Sequence, residues 1–312
     1  MGTYVRSHLA HVPPKPQWSV SEMSNLAGKV MIVTGGNTGV GKETVRALLS
    51  RGAKVYLAAR SESKAFAAIQ DLRKLTGRDA IFLHLDLADL ASVKAAAHHV
   101  LRNETKLDVL FNNAGVMFPP VEQLTADGYD LQFGTNVLGH FYFTQLLIPL
   151  LLTGASTSSD RHSRVINISS MAHSFASGID FDTLQDHPKR MKLGNQKLHY
   201  QSKFATVVFS SELQRRYGDQ GIISISLHPG NIKTEHQRHV SSFEKVISAP
   251  MLYPASMGAL TPLWAGTTPH GLRLGGQYLV PWARLGAARE ETQDRQLGRK
   301  LWAWLEAQVL DL

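Results

Sequence analysis

Tyr200-Gln201-Ser202-Lys203 sets a phenol and an ammonium three residues apart at the opening of an apolar stretch that reads as a helix. At helical pitch that spacing lays both groups on one face. A phenol titrates near about 10 and is a poor base at neutral pH, but a cation beside it favours the phenolate and fits it to exchange protons with a substrate oxygen. Such pairs also occur in purely structural helices, so the surroundings decide. Ser170 ends the apolar run Val165-Ile166-Asn167-Ile168, where ligands gather in parallel sheets. Its hydroxyl is either an orienting group for the same oxygen or a turn residue. Asn136, in Gly134-Thr135-Asn136-Val137, falls inside a helical pattern that asparagine does not favour. That marks either a polar task or a structural one, through capping or a bound water. The chain has no cysteine, which excludes a thiolate nucleophile, a disulfide framework and any thiolate-held metal. His173 and His199 show no sequence-spaced partner to orient them, so Tyr200 is the expected general acid and base.

A second group of residues is suited to an anion. Thr34-Gly35-Gly36-Asn37-Thr38-Gly39-Val40-Gly41 joins an apolar run to a helical one. Glycines there permit a tight turn and close backbone approach, and the helix N-terminus offers unpaired amides to a pyrophosphate. At the end of the next apolar run, where a carboxylate would meet a ribose 2′-hydroxyl, stands Ala58-Ala59-Arg60. Arg60, with Lys64 in support, is placed to pair with a 2′-phosphate, and the bland alternative is a solvated arginine. Asp86 is either an acceptor for an adenine amino group or a helix cap. Asn112-Asn113-Ala114-Gly115 is either a surface against which a cofactor lies or a polar turn. The chemistry expected is hydride transfer between NADP(H), preferred over NAD(H), and an alcohol/carbonyl pair.

The elements that must position these groups alternate. Strand-like runs at Val30–Thr34, 54–58, 80–85 and Val109–Asn112 are separated by helical stretches, with further strands expected at 164–169, Ile222–Leu227 and 277–280 and long helices at 128–152 and 200–217. Alternation of this kind predicts an α/β fold, a single doubly wound domain with a mainly parallel sheet of about seven strands and helices on both faces. Residues 1–25, with Pro13, Pro14 and Pro16, read as an extended arm with a polar cap, and 26–312 as the domain. A lid near 235–260 is expected over the pocket, its Phe243, Val246, Ile247, Met251, Leu252 and Tyr253 suggesting a lipophilic substrate. The stretch from Ala287, with Leu301, Trp302, Trp304, Leu305, Val309 and Leu310, predicts an amphipathic helix packed on the domain or on a second copy in a homo-oligomer.

Composition sets the outer bounds. Thirty-three basic against 25 acidic residues leave a charge of +8, which attracts anions. The basic residues are scattered, with no basic helix or aromatic-interleaved strip, so nucleic acid is not an expected partner. The most apolar stretch, Phe141 to Leu152, is interrupted by Thr144 and Gln145 and is too short to span a bilayer. No secretory signal is read in the first ten residues, and a cytoplasmic location is the expectation.

Taken in order, these segments resemble the short-chain dehydrogenase/reductase family, in the branch similar to retinol dehydrogenases, from about Leu26 to Arg284. The resemblance implies a Rossmann-type NAD(P)-binding fold, with the glycine turn at Thr34–Gly41, the adenine-side acid at Asp86 followed by Leu87, and the Asn-Asn-Ala-Gly segment at Asn112–Gly115. The family's catalytic asparagine, serine, tyrosine and lysine fall on Asn136, Ser170, Tyr200 and Lys203, with Asn136 holding a relay water and Lys203 also holding the nicotinamide ribose. Its Pro-Gly turn falls on Pro229-Gly230, and Ile232 and Thr234 match contacts to the carboxamide. The segment from Ser170 to Tyr200 is longer than in the shortest members, so substrate access differs there. Alternatives from the residues themselves are an NAD-dependent secondary-alcohol dehydrogenase and a non-catalytic protein that senses NADPH.

Overall fold

A computed structural model describes residues 13–233 and 252–312. Thr234, most of the expected lid (235–251) and the first part of the arm (1–12) lie outside the described residues.

Among the described residues eight strands form one sheet in the order β3-β2-β1-β4-β5-β6-β7-β8. The strands are β1 (Val30–Thr34), β2 (Lys54–Ala59), β3 (Ile81–His84), β4 (Val109–Asn112), β5 (Ser163–Ile168), β6 (Ile222–Leu227), β7 (Tyr278–Val280) and β8 (Arg284–Gly286). The first seven run parallel. The extra strand, β8, pairs antiparallel with β7 as a short edge hairpin, too brief and polar to show a strand pattern in sequence. The central strands are buried along their whole length, as in β1, β5 and β6. That is the signature of a sheet covered on both faces and explains why they read as unbroken apolar runs.

The chain winds outward from β1 to β3, then crosses to β4 on the other side of β1. A crevice opens at such a switch point, outside the carboxyl ends of the strands. The helices that shape it are α1 (Gly39–Ser50), α2 (Glu62–Thr76), α3 (Leu90–Asn103), α4 (Leu131–Thr157), α5 (Pro188–Tyr217), α6 (Ala255–Gly258) and α7 (Leu260–Thr267). Among the described residues α4 alone is long and apolar enough to cross a membrane, and its most apolar stretch is 72% buried inside the domain. It contains a π turn over Gly134–Leu138. The helix expected at 200–217 begins earlier, at Pro188, and breaks at Gly194, whose φ of 78° only glycine adopts without strain.

Two apolar clusters fill the layers on either face of the sheet. The C-terminal helix α8 (Arg295–Val309) buries Leu301, Trp302 and Leu305 against α4 and α5, so the expected amphipathic helix packs on its own domain. The boundary read at residue 26 is not one for packing. Trp18 and Met23 are buried in the second cluster, and Arg51 ties the Val20 and Ser21 carbonyls to the end of α1.

Candidate active site

The carboxyl ends of β4, β5 and β6 meet the N-terminus of α1 around a cavity of about 390 Å³. Its first wall is Thr38, Val40 and Gly41. Thr38 is the N-cap of α1 but makes no side-chain cap bond, and the first turn holds no acid. The amides there, with the positive end of the helix dipole, are left for an anion. The turn has no slack: a Cβ on Gly41 would stand 2.2 Å from the Gly35 carbonyl oxygen and 2.6 Å from Asn113 Nδ2. A dinucleotide's pyrophosphate fits this wall.

Asn113 and Gly115 continue the surface, and a buried network fixes them. The Thr34 hydroxyl oxygen accepts from the Asn113 and Ala114 amides at 2.9 Å each, while Asn113 Nδ2 donates to the Thr34 carbonyl at 2.8 Å. His140 Nδ1 donates to the Asn136 carbonyl at 3.1 Å, so its Nε2 accepts from the Thr34 hydroxyl at 2.9 Å. Burial pulls the His140 imidazole down to about 4, keeping it neutral for that role. Sequence reasoning missed this histidine because its partners come from β1 and the π turn.

Asn136 does not line the cavity. Its Oδ1 accepts from the Val116 amide at 2.8 Å, and its Nδ2 donates to the Val116 carbonyl at 3.1 Å and to Ser202 Oγ at 3.0 Å. It therefore stands behind Gly115 and Val116 as a brace. Lys203 reaches the cavity from α5, 8% exposed. Its Nζ donates to the Ile168 carbonyl at 3.0 Å, and burial brings the ammonium down to about 8. It remains a cation at neutral pH.

Ser169 and Ser170 supply the wall after β5. Ser170 Oγ accepts from the Ala172 amide at 3.1 Å, which holds the hydroxyl in place, and Ser169 Oγ grips the Lys203 carbonyl at 2.7 Å. Opposite them His228, Pro229, Gly230 and Ile232 close the cavity, with Leu252 and Met117 at its apolar side. Burial also draws His228 down to about 4.

The residue of α5 that lines the cavity with Lys203 and Ser170 is His199, and Tyr200 is absent from that wall. Tyr200 is half-buried, its ring 5.4 Å from that of the exposed Phe175 and its edge on the core. Residues 199 and 200 both share a face with Lys203 at helical pitch. The rotation of α5 against the sheet puts the residue four positions before Lys203 in the cavity lining, and the one three before it packs beside Phe175. His199 also has the partner that its spacing in the sequence did not reveal, Gln132 from α4, whose Oε1 lies 3.1 Å from Nδ1.

At the far end of the crevice Arg60 Nε stands 3.9 Å from Asp86 Oδ2. Asp86 Oδ1 accepts from the Ala88 amide at 3.0 Å, but the cap of α3 is Asp89, which accepts from Ala91 and Ser92. Arg60, Lys64 and Asp86 sit outside the cavity proper, as do Gly35, Asn37, Gly39 and Ala114. Leu87 is buried against α4, its carbonyl filling the place a Cβ on Gly139 would take.

The short chain dehydrogenase family profile matches residues 29–179. A short-chain dehydrogenase/reductase of Armillaria gallica is 57% identical over 299 residues, which cover 96% of each chain. Human retinol dehydrogenase 11 is 38% identical over 285 residues, covering 89% of this chain and 84% of its own. In the solved NADP complex of RhlG from Pseudomonas aeruginosa the fold superposes with a TM-score of 0.66 at 26% identity, over 83% of this chain and 96% of that one.

Proposed function

The chain belongs to the short-chain dehydrogenase/reductase family of oxidoreductases, and on that premise we propose that it interconverts a lipophilic carbonyl compound and its alcohol with NADP(H). The observation that carries this reading is the continuity of one cavity from the uncapped N-terminus of α1 to Ser170 and Lys203. Bound there, a dihydronicotinamide supplies hydride to a carbonyl carbon.

The protein's own residues do the rest. Thr38, Val40 and Gly41 receive the pyrophosphate, and the buried Lys203 ammonium holds ribose hydroxyls. The Ser170 hydroxyl, anchored by its turn, donates to the substrate oxygen and polarises it. Met117, Val116, Ile232 and Leu252 give the substrate side an apolar lining, which favours a lipophilic partner. Preference for NADP(H) rests on Arg60, whose weak contact with Asp86 is easily exchanged for a 2′-phosphate, with Lys64 four residues on, in the first turn of α2.

The test is consumption of NADPH by the purified chain with a panel of lipophilic ketones and aldehydes, beside NADH at the same concentration. Steady oxidation of NADPH, faster than of NADH, is the expected result. Tight NADPH binding without turnover of any carbonyl or alcohol would leave a dinucleotide-binding sensor instead.

A further inference from the structure

Hydride transfer to a carbonyl leaves an alkoxide that must gain a proton, and Tyr200 stands off the wall where that oxygen would lie. We propose that His199 is the side chain that exchanges this proton, at Nε2, and that Gln132 is the positioning residue that fixes its tautomer. The inference rests on the oxidoreductase reading.

Gln132 is 1% exposed and its orientation is settled by two backbone groups of opposite character. Its Nε2 lies 2.7 Å from the Asn195 carbonyl, which only accepts, and its Oε1 lies 3.1 Å from the Phe118 amide, which only donates. The amide therefore cannot flip without breaking both bonds. Its oxygen faces His199 Nδ1 at 3.1 Å, so Nδ1 must carry a hydrogen. The Phe118 ring stands edge-on to the imidazole with centroids 5.1 Å apart. With the Nδ1 proton committed, Nε2 is the nitrogen that gains and loses a proton, the arrangement by which an acceptor behind a histidine fixes its working tautomer.

The step balances. In reduction the hydride brings two electrons and one hydrogen nucleus to the carbonyl carbon, the C=O π pair moves onto oxygen, and the Nε2 proton of the imidazolium bonds to that oxygen. The imidazole is left neutral with hydrogen on Nδ1, and the dihydronicotinamide is oxidised. In alcohol oxidation neutral Nε2 takes the hydroxyl proton. Around His199, α4 contributes the uncharged Gln132 and the segment after β4 contributes Phe118. Among the described residues Lys203 on α5 and His228 after β6 are the other titratable side chains that line the shared cavity, and Ser169, Ser170, Thr38, Asn113 and Asn231 are its uncharged polar ones.

The first measurement reads the wild-type protein: nitrogen-15 correlation spectra of its histidine rings, with the His199 signal assigned by its loss in His199→Asn. A neutral ring with hydrogen on Nδ1 is expected, and a ring with hydrogen on Nε2 overturns the proposal whether or not a substrate has been found. The second is turnover. His199→Asn should lower kcat by roughly 10²- to 10⁴-fold, the range for a lost general acid, with NADPH affinity within about threefold by fluorescence titration. The third separates positioning from mere packing: Gln132→Glu keeps the acceptor and adds a negative charge, so the pH at which reduction falls off should move upward by about one pH unit. An unmoved limb in a folded Gln132→Glu protein, or near-normal reduction by His199→Asn that binds NADPH, would refute the assignment. A wild-type chain that shows the expected tautomer and binds NADPH but turns over nothing would count against the oxidoreductase reading alone.

Discussion

The two ends of the cavity were assembled in different ways. At the α1 end, the wall proposed for the pyrophosphate, Thr38, Val40 and Gly41, belongs to one continuous piece of chain from Thr34 through Gly41, where a strand, a turn and a helix start are adjacent by covalent connection. At the α5 end, the working groups come from β5, α5, α4 and the segment after β4. No local rule relates Ser170 to His199 or Gln132 to Phe118. Residue types in the first wall therefore translate directly into positions, while in the second the rotation of one helix decides whether an imidazole or a phenol lines the cavity. Local geometry is robust to small errors of reading, and convergent geometry is not.

The strongest way to break the first wall is to fill its turn. Gly41→Ala places a Cβ against the Gly35 carbonyl and Asn113, so the backbone must move. NADPH affinity should fall by tenfold or more, and thermal stability by up to about 3 kcal/mol, the scale of overpacking. Unchanged NADPH binding by calorimetry would mean that the pyrophosphate lies elsewhere.

Arg60→Ala removes the proposed 2′-phosphate partner at the other end of the same cofactor. Because Arg60 is 63% exposed, the loss should lie toward the low end of roughly 1–3 kcal/mol for a charge-assisted bond. It should be confined to NADPH. Equal weakening of NADH binding would make Arg60 a structural residue.

Lys203→Met probes the boundary between the two ends. The buried ammonium is held down to about 8 by desolvation, whereas an unfolded lysine titrates near about 10.4. Below pH 8 both states are charged and the folded one bears the burial cost. Between the two values the unfolded chain binds more protons, so wild-type stability rises with pH relative to the variant. Lys203→Met should therefore be more stable than wild type below pH 8, by on the order of 1 kcal/mol, with the gain fading as pH rises toward 10.4. Denaturant unfolding at pH 7 and 10 reads the difference, and a pH-independent gap would assign it to packing alone.

The smallest expected effect sharpens the contrast most. Tyr200→Phe removes the hydroxyl of a residue that does not line the cavity, so kcat should stay within about twofold of wild type, against the large loss proposed for His199→Asn. A hundredfold drop in kcat for Tyr200→Phe would return the phenol to the catalytic wall and undo the comparison.

By itself the sequence determined the doubly wound sheet, its strand boundaries to within a residue or two from Val30 to Leu227, the glycine turn, and the arrival of Ser170 and Lys203 at the same ends of the sheet. Those follow from hydrophobic periodicity and from turns whose chemistry is contained in neighbouring residues. Tertiary structure alone decided four things: that Asn136 braces Val116 from a π turn, that Trp18 and Met23 join the core, that β8 closes the sheet edge, and that His199 displaces Tyr200 from the cavity. The last turns on helical phase. Residues three and four before Lys203 are both its neighbours on an isolated helix, and only the packing of Leu198, Phe204, Val208 and the rest of α5 against the sheet sets which of the two points inward.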